Sequence, residues 1–570
     1  MTIFLFRRIL SLSLLFSVLS CGGERIKTDQ QVSDAIRINQ LGYFPDAPKK
    51  AVLTESTSAK GFMILKADDQ EIVYEGVLSE EFDWKKAGEK VKIADFTPFD
   101  QKGDFLLYVE GIGQTAPFSI AENIYDQAFP ASLKALYYQR AGMVLEEKYA
   151  GKWAREAGHP DDSVLFHPSS GRQGVISSPK GWYDAGDYGK YVVNGAFPLG
   201  QMLLLYEQYP ELLGDKTLNI PESGNGIPDI LDELKYEMDW LLTMQDEDGG
   251  LFFKLTTKRF EGMVLPEKAK QTRYIIGKGT APSLDFAAVA AKASRIFNQI
   301  DSSYAQTCWQ AAQKAWDWAQ DHPQVIFKNP EDVITGEYGD ADFSQEFYWA
   351  AAELYVSRGD EKYLEYLKAH PMDFTFRPGE SWRNFMHYLG AFALLNSDKE
   401  VSLIGEIKEQ ILATADSLLD VNHKNDYFQP ISDFQWGSNS DVMNSALIIA
   451  QAYRLTSDKK YLQAVREICD YIFGKNATGY SFLTGFGHQQ AKFIHHRPSE
   501  GDEIPEPVPG LLIGGPNSRR EDAQEVNYPE DVAPMKSWVD EVPSYASNEI
   551  CLNWNAPLVY VLGFLKAEAQ

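Results

Sequence analysis

The sequence predicts a small all-β sandwich followed by a much larger all-α unit of paired helices wrapped around a centre. Three observations predict this. From about Ala35 to Ala121, short apolar runs are separated by Gly, Pro, Asp and Lys, with turn signals roughly every ten residues. After Tyr125 the texture changes to long stretches with apolar residues at three- and four-residue spacing, the mark of a helix with one buried face. Strand-like runs are few there, and the helices are joined by long irregular segments, 161–190, 246–281 and 474–547. Connections of that size in a compact domain usually carry function. At 570 residues the chain can bury more than one core.

Taken in order, the chain opens on a targeting segment, residues 1–20. Arg7 and Arg8 give it a positive start, and Ile9 to Leu19 is apolar but too short for a membrane span. It ends Val18-Leu19-Ser20-Cys21-Gly22-Gly23, which resembles a bacterial lipoprotein lipobox with Cys21 as the lipidated residue. The alternative is an ordinary secretory signal in which Cys21 is incidental. Residues 21–33 read as a polar tether. The sandwich occupies 34–122, with strand-like runs at Lys50–Leu53, Gly61–Leu65, Glu71–Tyr74 and Asp104–Val109. The helical unit occupies 123–570. In 227–242 the apolar residues Ile227, Ile230, Leu231, Leu234, Met238, Leu241 and Leu242 form one face, and Pro228 suits the first turn. Similar helices read at 126–148, 282–299, 304–320, 344–358, 399–418, 440–456, 459–473 and 548–567.

Composition narrows the function. A formal charge of −27 argues against nucleic acid, which needs a basic stripe, and is compatible with neutral substrates such as sugars. Solubility alone also accounts for it. The four cysteines, Cys21, Cys308, Cys469 and Cys551, are far apart and form no CxxC pair, which argues against a disulfide framework or a cysteine zinc site. Cys308 and Cys469 fall in apolar helical patterns and read as small core residues.

The chemistry gathers around Gly181 to Tyr191. Asp184 and Asp187 stand three residues apart with only Ala185 and Gly186 between them. On a helical or turn-like backbone that spacing puts both carboxylates on one side, with room for a water. Aromatic residues at 182, 183, 188 and 191 flank the pair. Two carboxylates gripping one water suit an enzyme that activates water against a sugar, whereas the same four residues on their own also make a simple turn. Two late segments complete the set. His495 and Arg497 offer fixed donors for sugar hydroxyls or a carboxylate, or else belong to a surface loop. Glu549 opens an apolar helical run. A helix start lowers a carboxyl pKa, so a general acid there would need burial and repulsion from Asp184 and Asp187 to outweigh the dipole.

With these segments in hand, the chain resembles family 9 glycoside hydrolases, the endoglucanase family, in the subgroup with an N-terminal immunoglobulin-like domain. Ile36 to Tyr43 looks like the start of that domain, and Asp184-Ala185-Gly186-Asp187 like the family's base motif. Asn225 to Glu233, Asp285 to Val289 and Trp349 to Tyr355 are similar to family helices. The His-x-Arg and Asn548-Glu549 segments resemble the two family signatures. The matches run in the right order from about 35 to 566.

The resemblance implies an (α/α)6 barrel after the immunoglobulin-like β-sandwich. It implies Asp187 as general base, Asp184 as its partner in holding the water, and Glu549 as general acid. His495 and Arg497 would position the sugar, with Asp540, Tyr545, Trp554 and Trp436 also at the substrate. No cofactor is needed for the chemistry. The family often carries structural calcium, and Thr335 to Glu346 looks like a calcium loop in which Asp340 and Glu346 would be ligands. Three positions depart from the pattern: Gln345 replaces an expected Asp, Gln489 an Asn, Lys or Arg, and Cys551 a small Ser, Thr or Ala. The family's Cys/His zinc site has no counterpart.

The expected protein is an exported, membrane-anchored, monomeric enzyme that cleaves β-1,4-glucosidic bonds of a β-glucan with inversion. The rival readings are action on xyloglucan, mixed-linkage glucan or short oligosaccharides including glucosaminides, a non-catalytic glycan-binding lipoprotein, and a surface adhesin.

Overall fold

The computed structural model describes residues 31–569 apart from 380, 400 and 426. The signal segment, Cys21 and most of the tether fall outside the described residues. Among the described residues, no helix is long and apolar enough to cross a membrane.

Nine strands between Ile36 and Ile120 form two sheets: β1 (Ile36–Arg37), β2 (Lys50–Leu53), β3 (Gly61–Lys66), β4 (Ile72–Val77), β5 (Phe82–Trp84), β6 (Glu89–Asp95), β7 (Gly103–Val109), β8 (Gly113–Gln114) and β9 (Phe118–Ile120). One sheet runs β1-β2-β6-β5, the other β4-β3-β7-β8 with β9 also on β7. Inward residues of both sheets, among them Leu53, Ile64, Ala94, Phe105, Leu107 and Phe118, make a separate core with Tyr43 and Phe96.

The sandwich is tied to the helical unit by the residues that looked like a family signature. Asn39 is fully buried, and its amide donates to Tyr125 Oη at 3.0 Å and Asp470 Oδ1 at 2.8 Å. Gln40 N donates to Phe473 O at 2.9 Å, and Lys50 pairs with Glu467 at 2.6 Å. A second tie reaches the approach to Glu549. Met535 N donates to Lys86 O at 2.9 Å, and Lys536 and Tyr427 both meet Glu89.

Twelve helices of nine residues or more follow among the described residues: α1 (Ala128–Tyr138), α2 (Val192–Gln208), α3 (Asp229–Thr243), α4 (Thr280–Phe297), α5 (Ser302–Asp321), α6 (Ser344–Arg358), α7 (Glu361–Ala369), α8 (Met386–Leu395), α9 (Ile404–His423), α10 (Ser438–Thr456), α11 (Lys459–Ile472) and α12 (Leu552–Ala567). The even-numbered helices form an inner ring: α2 packs on α4, α4 on α6, α6 on α8, α10 on α12 and α12 on α2, with α9 bridging α8 and α10. The odd-numbered helices lie outside, each against an inner one, which is the (α/α)6 barrel. Outer helices carry the expected stripe, as in α5, where Ala305, Cys308, Ala312, Ala315 and Ala319 face inward.

Three helices, α2, α7 and α8, were not legible in the pattern. Every residue of α2 from Val192 to Leu205 is buried, as is every one of α8 from Met386 to Leu394, so neither shows a polar face. Helix α7 has only nine residues. Part of the supposedly irregular sequence is also ordered. Five strands, β10 (Val164–Phe166), β11 (Val175–Ile176), β12 (Lys190–Tyr191), β13 (Leu251–Thr257) and β14 (Arg273–Gly279), form a sheet in the order β11-β10-β14-β13-β12. Strand β12 continues directly from the Asp184–Asp187 stretch, so the sheet anchors that loop on one side and α2 on the other.

Candidate active site

Asp184 and Asp187 sit on an irregular loop rather than on a helix. The loop is clamped from beneath. Gln139 Nε2 donates to the carbonyls of Tyr183 and Ala185, at 3.2 and 2.9 Å, and Gln139 Oε1 meets His496 Nε2 at 2.9 Å. Trp182 donates its backbone N–H to Glu237 at 2.6 Å and its indole N–H to Glu233 at 2.8 Å. Of the four aromatic rings near the aspartates, only Tyr191 lines the cleft. Trp182, Tyr183 and Tyr188 are buried packing, not walls around a water.

Backbone hydrogen bonds stitch three distant segments together. Ala185 pairs with Cys551 and His495 with Glu549, while Leu552 N donates to Asp184 O at 3.0 Å and Arg497 N to Gly186 O at 3.0 Å. Gly186 is the crossing point. Its N–H donates to Glu549 Oε1 at 3.2 Å, and its carbonyl accepts from Arg497 Nη1 at 2.8 Å. A Cβ there would lie 2.0 Å from His495 O.

Glu549 does not open a helix. It lies in the extended segment before α12, which starts at Leu552. The expected dipole penalty therefore does not arise in that form. Burial first, then the charge of Asp187, hold the Glu549 carboxyl well above the usual carboxylate range, against the pull of Arg497.

Asp184 is capped on both oxygens: Asn194 Nδ2 donates to Oδ1 at 2.6 Å and Tyr338 Oη donates to Oδ2 at 2.5 Å. Burial and the neighbouring Asp187 push its pKa up to about 8. Asp187 Oδ2 accepts from Gly189 N at 3.0 Å and Tyr191 Oη at 3.4 Å. Its Oδ1 takes no hydrogen bond among the described residues and is free to receive a water proton.

His495 donates from Nδ1 to Val542 O at 2.7 Å, which leaves Nε2 as an acceptor. Burial pushes its pKa down to about 4, so it is neutral in the working range. Arg497 Nε donates to Glu261 O at 2.9 Å, and the guanidinium lies 5.6 Å from the Phe260 ring.

These groups line one cleft of about 820 Å³, within the ordinary range for ligand sites. Trp436, 40 % exposed, Tyr545 and Trp382 form aromatic walls, and Phe260 lies beside Arg497. Trp554 also lines the cleft but is 8 % exposed, wedged against Gly437 and Gly514. Tyr545 is fixed by a bond from its hydroxyl to Glu521 O at 3.0 Å. Asp540 is not among the lining residues. Its carboxylate accepts from Lys492 N, Phe493 N and Asn548 Nδ2, at 2.9–3.1 Å, and so ties the His495 segment to the Glu549 segment. Cys551 Sγ accepts from Asn194 Nδ2 at 3.1 Å. Sequence reasoning missed Tyr338 and Trp382 as parts of this cleft and Asn194 as a buried partner of Asp184, because no spacing relates them to the aspartates.

The suspected calcium loop brings buried acids together. Asp285, from α4, has both carboxylate oxygens buried and unpartnered, and Asp340 Oδ2 and Glu346 Oε2 are likewise unpartnered. Burial, then their mutual repulsion and that of Asp340, hold Asp285 and Glu346 well above the usual carboxylate range. Gln345 turns away to His387 Nδ1, at 2.6 Å. In kind these oxygens fit a hard cation. In number they fall short: among the described residues no three His, Cys, Asp or Glu side chains form a metal cage by themselves.

The chain is similar to known proteins along most of its length. Residues 125–562 match the model of Glycosyl hydrolase family 9, and residues 31–114 match the cellulase N-terminal ig-like domain. A xyloglucan-specific endo-beta-1,4-glucanase of Bacteroides ovatus is 40% identical, covering 94% of each chain. Endoglucanase D of Acetivibrio thermocellus is 35% identical over 95% of this chain and 85% of its own. The solved structure of a Bacteroides ovatus GH9 protein superposes with a TM-score of 0.87 at 38% identity, covering 94% of this chain and all of that one.

Proposed function

The chain belongs to glycosyl hydrolase family 9, and from that premise we propose how its cleft works: it cleaves β-1,4-glucosidic bonds of a soluble β-glucan with inversion, using Glu549 as general acid and Asp187 as general base. The single observation that carries the assignment is the position of Gly186. Its N–H meets the raised carboxyl of Glu549, and the next residue, Asp187, lines the cleft.

The steps follow from the donors and acceptors. Glu549, protonated, gives its proton to the glycosidic oxygen as the C1–O bond breaks. A water held at Asp187 Oδ1 gives that carboxylate a proton as its oxygen attacks C1 from the opposite face. Inversion needs roughly 6.5–9.5 Å between the two carboxyl groups so that the water fits. Asp184, capped by Asn194 and Tyr338, supports the water rather than taking its proton. His495 Nε2 accepts a sugar hydroxyl, and Trp436 offers a face for a ring to stack on.

Two glycan readings divide here. A plain β-glucan needs only the aromatic walls. A xyloglucan backbone is the second reading, supported by the 40% identical relative. Initial rates and products on pure barley glucan, carboxymethylcellulose, xyloglucan and cello-oligosaccharides separate them, and the anomer first released reports the stereochemistry. Asp187→Asn is expected to lose ~10²-fold or more in kcat. If Asp187→Asn kept near wild-type rates while Asp184→Asn lost them, the base would be Asp184.

Two further readings belong to this proposal. Calcium bound at Asp340 and Glu346, with Asp285 behind them, would neutralise the buried acids and brace the loop that carries Tyr338, with no part in the bond chemistry. Export with a lipid on Cys21 would hold the enzyme at a membrane surface, and Cys21→Ala is then expected to release it to the soluble fraction.

A further inference from the structure

Lys254 is a buried lysine whose charge acts on Asp184 and feels Asp187, and nothing in the hydrolytic scheme uses it. It lies on β13, fully buried. Its Nζ donates to Asn329 Oδ1 at 2.6 Å, Gly336 O at 2.7 Å, Thr335 O at 3.2 Å and Thr335 Oγ1 at 3.3 Å. All these oxygens are uncharged. The described residues give it no carboxylate within ion-pair distance, so its charge is not spent on a direct partner.

The oxygens it holds belong to the segment that leads to Tyr338. Asn329 Nδ2 adds a bond to Thr335 O at 2.6 Å. Two residues beyond Gly336, Tyr338 takes a φ of +44°, a left-handed conformation that costs a bulky residue energy unless its surroundings impose it. Its ring is wedged edge-on against Tyr191 and Trp382, with centroids at 4.9 and 5.4 Å. Its hydroxyl then reaches Asp184.

We propose that Lys254 is a positioning residue of the hydrolytic centre: it staples the Thr335–Gly336 turn so that Tyr338 stays locked on Asp184, and its charge lies behind the two aspartates. This rests on the reading of Asp184 and Asp187 as the water-holding pair. The ammonium is surrounded by Tyr191 and Phe327 rings, each centroid at 5.5 Å, and feels the charges of Asp187, Glu337 and Asp184. Burial pulls its pKa down to about 7, against the lift from those three acids. The two aspartates raise the proton affinity of the lysine, and the lysine in turn favours the charged form of Asp184.

The test is Lys254→Met, which keeps the chain length and removes donors and charge, alongside Tyr338→Phe, the double variant and Asn329→Ala. Lys254→Met is expected to lower kcat ~10- to 100-fold with KM within about threefold. It should also shift the acidic limb of the kcat/KM profile to higher pH, because a base without its nearby cation holds its proton more tightly. Tyr338→Phe should lower kcat, and the double variant should lose less than the two single losses multiplied. Asn329→Ala should lower kcat mildly and leave the limb in place. Backbone hydrogen exchange over 329–342 should speed up in Lys254→Met, and this reads the staple even if no glycan tested is turned over. Multiplicative losses, or an unmoved limb together with unchanged exchange in a folded Lys254→Met protein, would overturn the assignment.

Discussion

The close crossing at Gly186 makes one substitution unusually informative. Gly186 does not lie in the left-handed region, so alanine there carries no backbone strain. The obstacle is steric: the added Cβ would lie 2.0 Å from His495 O and 3.1 Å from Glu549 Oε1. Real Cβ atoms essentially never come closer than 3.0 Å, so the aspartate loop and the His495 strand must part by at least about 1 Å. That parting separates the base from the acid, and a displacement of about 1 Å at reacting groups costs on the order of 10²-fold in rate, or about 2.7 kcal/mol. Gly186→Ala is therefore expected to retain a cooperative unfolding transition and lose ~10²-fold in kcat on soluble β-glucan. Gly262→Ala is the control, because nothing lies within 4 Å of its Cβ position. The assay is initial rate by reducing-end release, with thermal melting of both variants. A folded Gly186→Ala enzyme within threefold of wild type would show that the two loops slide past each other freely, and the packing account of acid–base spacing would fail.

Other outcomes are expected. Glu549→Gln should lose ~10²-fold or more on glucan but much less on a dinitrophenyl cellobioside, whose leaving group needs no proton; equal losses on both substrates would remove the acid role. Because Glu549 works protonated and its pKa is raised, kcat/KM should fall as pH rises through that pKa, and Glu549→Gln should lack this alkaline limb. His495, neutral above about 4, should contribute no limb in the working range. A chelator should lower the melting temperature, calcium should restore it, and Asp285→Asn or Glu346→Gln should abolish the response; a melting temperature indifferent to chelator would end the calcium reading.

Much of this protein was legible before folding. The outer helix α5 shows in the sequence because it keeps one face in water, and the three- and four-residue spacing of its apolar residues records which face. The inner helices α2 and α8 do not, because a helix buried all round has no polar side to mark its period. The aspartate pair was visible in its spacing, as were His495 and Arg497 in theirs. The start of α12 was misplaced by four residues, and that error alone created the dipole difficulty at Glu549.

What the chain by itself determined is the set of groups and their short-range order: two acids either side of Ala185-Gly186, a later His-x-Arg, a last Glu. What only the tertiary structure decided is their surroundings: which are buried, which are capped, and which charges face which. Asp184 meets Tyr338, 154 residues away, and Asn194 also touches Cys551, 357 residues away. The Glu549 carboxyl is held above its usual range because folding removes water from it and sets Asp187 beside it. Proton affinity depends on solvent exclusion and on charges a few ångströms off, and linear sequence encodes neither until distant segments are brought together.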